Sequence, residues 1–357
     1  MSPPTLIPSQ HDHGPIIPTS FLFAYLPDPN KETRIFDSSR EGPAERILPH
    51  GFPHKLGSDM AWKRETISID HPTGAETPYL LILQDPQLDE IEAALRHFER
   101  QLATPIETLD TSTFPLPCLN PVLRSASNNL HSGYGFTLIR GVPVERYSRK
   151  ELVIIYVGIS SHVAAIRGRQ DHRFEGQPAD VMLAHITDMR RPGDSPNFSL
   201  PAYSDGEVVY HTDVGDIVSL FALSEPSYGG ESLLASSWTV YNALAENRPD
   251  LIRVLAEDWP IPSAQDPSLI IHRPLLFYQP ACVEALDALH FLAERFHVVM
   301  KLERGDIQFV NNLSMIHARN SYVDGPENRR HLLRLWLRDS KLVGDAGATA
   351  QSRRSDF

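Results

Sequence analysis

Thirty prolines interrupt this chain of 357 residues, about 8% against the ~5% usual in globular proteins. Each fixes φ and removes a backbone donor, so it ends or kinks a helix and is excluded from the middle of a sheet. Long helices are therefore few, and the fold must be assembled from short strands and helices joined by many loops. In other respects the composition is that of an ordinary globular chain, 41% hydrophobic and 22% charged, which is not a disordered one. The charge balance, 33 − 45 = −12, argues against nucleic acid or an anionic membrane as the main partner. Cys118 and Cys282 stand far apart, so neither a disulfide scaffold nor a structural zinc ribbon is available. The N-terminus has no basic region followed by an apolar stretch, and the longest apolar run, Leu152 to Ile159, is far short of the ~18 residues of a membrane helix. The expectation is a soluble, cytoplasmic protein.

Residues 1–60 are rich in Pro, His and Gly without periodicity and read as an extended or partly disordered arm. Short β-like runs appear around Ile67 and Ile69 and at Tyr79–Leu83. Asp85-Pro86 opens a helix with Leu88, Ile91, Leu95, Phe98 and Leu102 on one face. Asn120-Pro121 starts a second as N-cap and first-turn proline. Tyr134–Arg140 reads as a buried strand, and Ser148-x-x-Glu151 is a capping box before the run Leu152–Ile159. Residues 168–206 are polar and rich in Pro and Gly, which suggests a long functional loop, a lid or site wall. Strands follow at Val208–Tyr210, Val218–Leu223 and Glu231–Ala235, then helices near Thr239–Ala245 and from Pro249 to about Asp258. A helix is predicted over 281–300 with Leu286, Leu289, Leu292 and Phe296 on one stripe, and strands at Ile307–Asn311 and His331–Leu337. This order indicates a single α+β domain over 61–345, helices packing outside a β-sandwich or barrel, and a flexible tail at 346–357.

Sixteen histidines invite a search for metal ligands. A His two residues before an acid is expected by chance about 16 × 45/357 ≈ 2 times and occurs twice, at His97-x-Glu99 and His211-x-Asp213, so context must separate them. His97 and Glu99 fall on a helix, where residues i and i+2 do not share a face. His211 and Asp213 follow a strand, where they do. An imidazole and a carboxylate on one face are two corners of the 2-His-1-carboxylate triad of non-heme Fe(II) oxygenases. His317, beyond the run Ile307–Asn312, is placed to supply the third.

Tyr210-His-Thr-Asp-Val214, Tyr228-Gly-Gly-Glu-Ser232, Gly305-Asp-Ile-Gln-Phe-Val-Asn-Asn312, His317 and Arg329-Arg-His-Leu-Leu-Arg334 occur in that order. With Tyr134–Pro143, this resembles the TauD/TfdA family of Fe(II)- and 2-oxoglutarate-dependent dioxygenases, the clavaminate-synthase-like group, over about residues 130–340. The resemblance implies a double-stranded β-helix (jelly-roll, cupin-like) core with flanking and inserted helices. It implies His211, Asp213 and His317 as iron ligands and catalytic residues, with Fe(II), 2-oxoglutarate and O2 as cofactor and cosubstrates. Arg330, thirteen residues after His317, matches the arginine that pairs with the distal carboxylate of 2-oxoglutarate, a task suited to a planar guanidinium. Ser232 stands where the family often has threonine donating to the same carboxylate.

Arg334 matches an arginine near the substrate or the metal-bound end of the cosubstrate, and Glu207 a position touching the amino end of an amino-sulfonate. Opposite charges there would suit an amino acid or a related carboxylate, with Tyr210 and Val214 also at the substrate. Arg329 should face away from Arg330, and Asn311 and Asn312 should hold the loop that presents His317. The expected reaction is hydroxylation, desaturation or cyclisation of a small molecule with succinate and CO2 as co-products, by a protein that could form homo-oligomers. The alternatives are a protein-modifying hydroxylase, a zinc-dependent hydrolase on the same three ligands, which would leave Arg330 and Ser232 without a task, and an inactive binding module.

Overall fold

The computed structural model describes residues 27–29, 32, 47–67, 77–100, 105–174, 177–190, 201–213, 215–262, 270–274 and 280–340. The tail at 346–357, Ile69, Leu102, Val214 and most of the arm before residue 47 lie outside them. The chain, read from sequence as one domain over 61–345, groups into two compact units, one of residues 58–234 and 298–357 and the other of 1–57 and 235–297.

The first unit holds two sheets built from eleven strands: β1 (Leu80–Ile82), β2 (Phe136–Arg140), β3 (Ile166–Gly168), β4 (Leu183–Ile186), β5 (Val208–His211), β6 (Ile217–Ser224), β7 (Ser232–Ser236), β8 (Val298–Met300), β9 (Ile307–Asn311), β10 (Met315–Arg319) and β11 (His331–Arg338). The larger sheet runs β1-β2-β9-β6-β11-β3, with β4 also paired to β11. Its strands are antiparallel except for the β1–β2 pair. The smaller sheet runs β8-β7-β10-β5. Phe136, Val218 and Val310 of the larger sheet pack with Leu234, Val298, Met300 and Met315 of the smaller. The two sheets thus form the jelly-roll core. The outer face of the larger sheet (Ile139, Phe221, Phe309, Leu333, Leu335) is covered by α1 (Asp85–Arg100), α2 (Asn120–Ser132) and α3 (Arg149–Val163) through Ile91, Leu95, Leu123, Ile155 and Ile159.

Local signals explain much of this. Ser148 and Glu151 form the capping box, each side chain bonding the other's backbone N–H at 3.3 and 2.8 Å. Asn120, expected as an N-cap, is instead the first residue of its helix, and its Oδ1 lies 2.9 Å from His162 Nδ1. Glu90 of α1 fixes the approach to this helix, accepting the N–H groups of Cys118 and Leu119 at 2.6 and 2.9 Å. The stretch 168–206 is not one long loop. It contains a hairpin, Asp171–Phe174 with Gln177–Val181, and then β4, whose Ala184 and Ile186 are buried against the sheet. Of the strand expected around Ile67 and Ile69, only Ile67 is among the described residues, and it closes a single 3₁₀ turn, Arg64–Thr66.

The second unit contains α4 (Ser237–Asn247), α5 (Pro249–Ala256), a hairpin of Asp258–Pro262 with Ile270–Pro274, and α6 (Pro280–Phe296). The helix predicted to reach 300 stops at Phe296, because Val298–Met300 leaves it to pair as β8 with Ser232–Leu234. Its buried stripe runs through Ala285, Ala288, Leu292 and Phe291, with Leu286 and Leu289 half-buried. Part of the N-terminal arm is strapped to α4. Asn242 mimics a strand partner for Leu56, accepting its N–H at 2.7 Å and donating to its carbonyl at 2.9 Å, and the Tyr241 hydroxyl donates to Pro53 O at 2.5 Å. Among the described residues no helix is long and apolar enough to cross a membrane.

Gly158 marks the closest packing between α3 and the segment before α2. A Cβ built there would sit 2.5 Å from the ring of Phe114, which is 0% exposed. Helix propensity favours Gly→Ala by ~1 kcal/mol, while overpacking against an immobile ring costs ~1–3 kcal/mol. Gly158→Ala is expected to destabilise by up to about 2 kcal/mol, seen as a lower urea midpoint at unchanged slope. A raised midpoint would show that the ring yields.

Candidate functional site

Two short strands of the smaller sheet carry the imidazoles. His211 ends β5 and lies directly opposite His317 on β10, the ring centroids 4.3 Å apart. The register then shifts, with Arg319 opposite Val208, so Val209 and Tyr210 of β5 stand opposite Ala318 alone in a β-bulge. Asp213 follows as the chain leaves β5, and Gly215, at φ 89°, supplies the left-handed turn into β6. That turn is held by Asn312, whose backbone N–H donates to Asp216 O at 2.9 Å and whose side chain donates to Gly215 O at 3.2 Å. Arg338 on β11 clasps the Asp216 carboxylate at 2.7 Å. Asn312 therefore anchors the Asp213 turn, not the approach to His317. One ligand atom each from His211, Asp213 and His317 lies within 4.8 Å of the other two.

The protonation states suit a cation. His211 Nδ1 is 2.8 Å from Val209 O, which can only accept, so Nδ1 carries a hydrogen and Nε2 is the nitrogen left to bind a metal. Burial and the neighbouring His211 push the His317 imidazole down to about 3, so it is neutral at physiological pH. Its Nδ1 is buried without a hydrogen-bond partner. Burial opposes charge on Asp213, but the Arg334 guanidinium and the two imidazoles outweigh it and hold the carboxyl below the usual range. Two imidazoles and one carboxylate converging from β5, its following turn and β10 fit Fe(II) in a facial triad.

The remaining sequence candidates divide. Arg330 is 5% exposed, its guanidinium stacks over the Tyr322 ring at 5.2 Å, and its Nη1 has no partner, whereas Arg329 is exposed. Ser232 is buried and donates to Gln308 Oε1 at 3.2 Å. Arg334, expected to reach substrate or cosubstrate, is spent within the protein. Its Nη1 lies 3.3 Å from both Asp213 oxygens, its Nε donates to Gln170 Oε1 at 2.8 Å, and it stacks on Trp336 at 4.8 Å. Glu207, which a regular strand would place on the His211 side, is exposed, since the bulge breaks the alternation between them. Tyr210 is half-buried beside His211. Sequence reasoning missed Gln170, Gln308, Arg319 and Tyr322. Arg319 alone had a readable signal, standing two residues beyond His317 on the same face of an extended strand.

A jelly roll carrying this triad defines a non-heme iron oxygenase. The family described as taurine catabolism dioxygenase TauD, TfdA family, matches residues 99–284 and 278–336. A taurine hydroxylase-like protein, SAT17, of Stachybotrys chartarum is 33% identical over 81% of this chain and 81% of its own length. FR-33289 synthase of Streptomyces rubellomurinus is 27% identical over 69% of this chain and 81% of its own. Asparagine oxygenase with Fe(II), 3-hydroxyasparagine and succinate superposes with a TM-score of 0.57 at 14% identity, covering 72% of this chain and 93% of that one. The oxygenase OrfP with Fe gives 0.52 at 15%, covering 73% and 94%. The chain belongs to the TauD/TfdA family and is an Fe(II)- and 2-oxoglutarate-dependent dioxygenase.

A second histidine pair joins β4 to β11, His185 Nδ1 lying 2.8 Å from His331 Nε2. One ring donates to the other, which must therefore be neutral, and burial lowers both imidazoles from the ordinary range. Burial pushes His331 down to about 4, helped by His185 and Arg149. Because the folded value lies below that of the unfolded chain, ~6.5, the unfolded state takes up the proton first. Stability from the neutral ring is complete above ~6.5 and is lost as pH falls toward 4. The urea midpoint of the metal-free protein should therefore drop through this window, and His331→Gln should flatten the drop. An unaltered slope would assign the acid sensitivity to other groups.

Proposed function

We propose that His211, Asp213 and His317 hold the Fe(II), and that Arg330, aided by Ser232, receives the distal carboxylate of 2-oxoglutarate. The observation that carries this is the convergence of the three ligand atoms within 4.8 Å across the β5–β10 pair. The buried, unpartnered Nη1 of Arg330 supports the second half. With the metal, 2-oxoglutarate and O2 bound, the centre supplies an oxidant strong enough to attack an unactivated C–H bond, with succinate and CO2 as co-products.

The chain's own residues do the rest. Val209 O fixes the His211 tautomer so that Nε2 faces the metal. Arg334 keeps Asp213 ionised and, through two contacts at 3.3 Å, fixes the plane of its carboxylate. Ser232 must turn its hydrogen from Gln308 toward the cosubstrate, or accept from the Gln308 amide after that amide rotates. We take the enzyme to act in the cytoplasm on a diffusible small molecule. Arg334 is engaged by Asp213 and Glu207 is exposed, so this pair lends no support to a zwitterionic substrate. A zinc hydrolase on the same triad would leave the buried Arg330 without an anion, at a desolvation cost that nothing offsets.

His317→Ala is expected to lower Fe(II) affinity and abolish succinate release while leaving the unfolding transition cooperative. Near wild-type turnover would dismiss His317 as a ligand. Arg330→Ala removes a buried charge-assisted contact worth on the order of 2–4 kcal/mol, so the 2-oxoglutarate requirement should rise roughly 30- to 1000-fold. Arg329→Ala, at an exposed position, should leave it unchanged, and equal effects at 329 and 330 would reject the assignment.

A further inference from the structure

Three buried donors without partners gather around one aromatic ring beside the candidate iron centre. The Arg319 guanidinium lies 5.0 Å from the Tyr322 ring centroid and that of Arg330 lies 5.2 Å from it. Arg319 Nε, Arg330 Nη1 and the Tyr322 hydroxyl all lack hydrogen-bond partners, in residues 8%, 5% and 3% exposed. Among the described residues no carboxylate forms an ion pair with either guanidinium. The acids within electrostatic reach are spent elsewhere. Asp188 and Asp205 bind Arg190 at 2.8 and 2.5 Å, and Asp324 accepts the backbone N–H of Arg330 at 2.7 Å. Two buried like charges without an anion are costly, so the cluster is built for a ligand.

Its position says which ligand. Arg319 is one pleat along β10 from His317, on the face that carries the metal-binding imidazole. The bulge adds its extra residue to β5, so the alternation of β10 is preserved. Arg319 also donates through Nη2 to the carbonyls of Pro201, Ser204 and Gly206, which fixes the guanidinium while leaving Nε free. Tyr322 is set from the same side, its backbone N–H donating to Asp205 O at 2.9 Å.

We propose that Arg319 and Tyr322 complete, with Arg330, a three-donor cradle for a single carboxylate, the distal one of 2-oxoglutarate. The inference rests on the reading of Arg330 given above and adds two residues to it. A carboxylate offers about four lone-pair directions, enough for three donors, and its charge offsets two guanidiniums that otherwise repel. Arg319 thereby links cosubstrate binding to the 201–206 segment that leads into His211.

The test is calorimetric titration of the Mn(II)-loaded full chain with 2-oxoglutarate and with 2-oxopentanoate, the same oxoacid lacking the distal carboxylate. Tyr322→Phe removes one hydrogen bond to a charged group, so 2-oxoglutarate should bind about tenfold more weakly while 2-oxopentanoate is unaffected. Arg319→Lys should behave alike. If either variant weakens both acids equally, or neither, the cradle is refuted and Arg319 is only a staple for the 201–206 segment. Tyr322→Phe decides the matter should Arg319→Lys fail to fold. Arg330→Ala separates the two levels. If it leaves the discrimination between the acids intact, the Arg330 reading itself falls; if it alone abolishes the discrimination, only the cradle falls.

Discussion

The register of β5 against β10 is the constraint on which the site depends. His211 and His317 can share an ion only because they are direct cross-strand partners, and a slip of one residue would turn one of them to the opposite face. The bulge concentrates the irregularity on the side away from the Asp213 turn. The turn itself is held from behind by Asn312 and by the Asp216–Arg338 pair. A third ligand delivered from a turn, not a strand, needs this bracing, since a metal site tolerates little positional error.

Electrostatics supply the second layer of order. Asp213, Arg319, Arg330 and Arg334 are all largely shielded from solvent around the site, an expensive set to desolvate. Arg334 and Asp213 partly neutralise one another, with Gln170 and Trp336 bracing the guanidinium. Arg330 and Arg319 have no such partner and stack on Tyr322 instead. On the reading proposed above, the His211–Asp213–His317 cluster would take the cation and the Arg330–Arg319 pair the anion. The helices α1–α3 contribute indirectly, by covering the outer face of the larger sheet.

Several features of the fold were written locally. The capping box of α3, the stripe of α1 and the strands Ile217–Ser224, Ile307–Asn311 and His331–Arg338 follow from period, cap chemistry and β-branched or aromatic runs. Elements whose identity depends on a partner were misread. β4 hides in a polar stretch and is a strand because β11 lies beside it. β8 follows a helix without a break signal and is pulled out of it by β7. The N-cap moved from Asn120 to Leu119, whose carbonyl accepts the N–H groups of Val122 and Leu123 at 3.0 Å, while Glu90, distant in sequence, holds the N–H groups of Cys118 and Leu119.

For the site, sequence alone determined the residue types and their order: a His-x-Asp leaving a strand, a distant His, and an arginine thirteen residues beyond it. Those are covalent facts, and their chemistry follows from side-chain inventory and strand alternation. Tertiary structure alone decided which groups are free to act. Arg334 looked available until Asp213 was found across the barrel, Glu207 looked inward until the bulge turned the strand, and Arg319 and Tyr322 looked ordinary until burial left their donors unmatched. Whether a charged side chain is spent or available depends on which partner lies within ~3 Å of it, and that partner is usually far away in sequence.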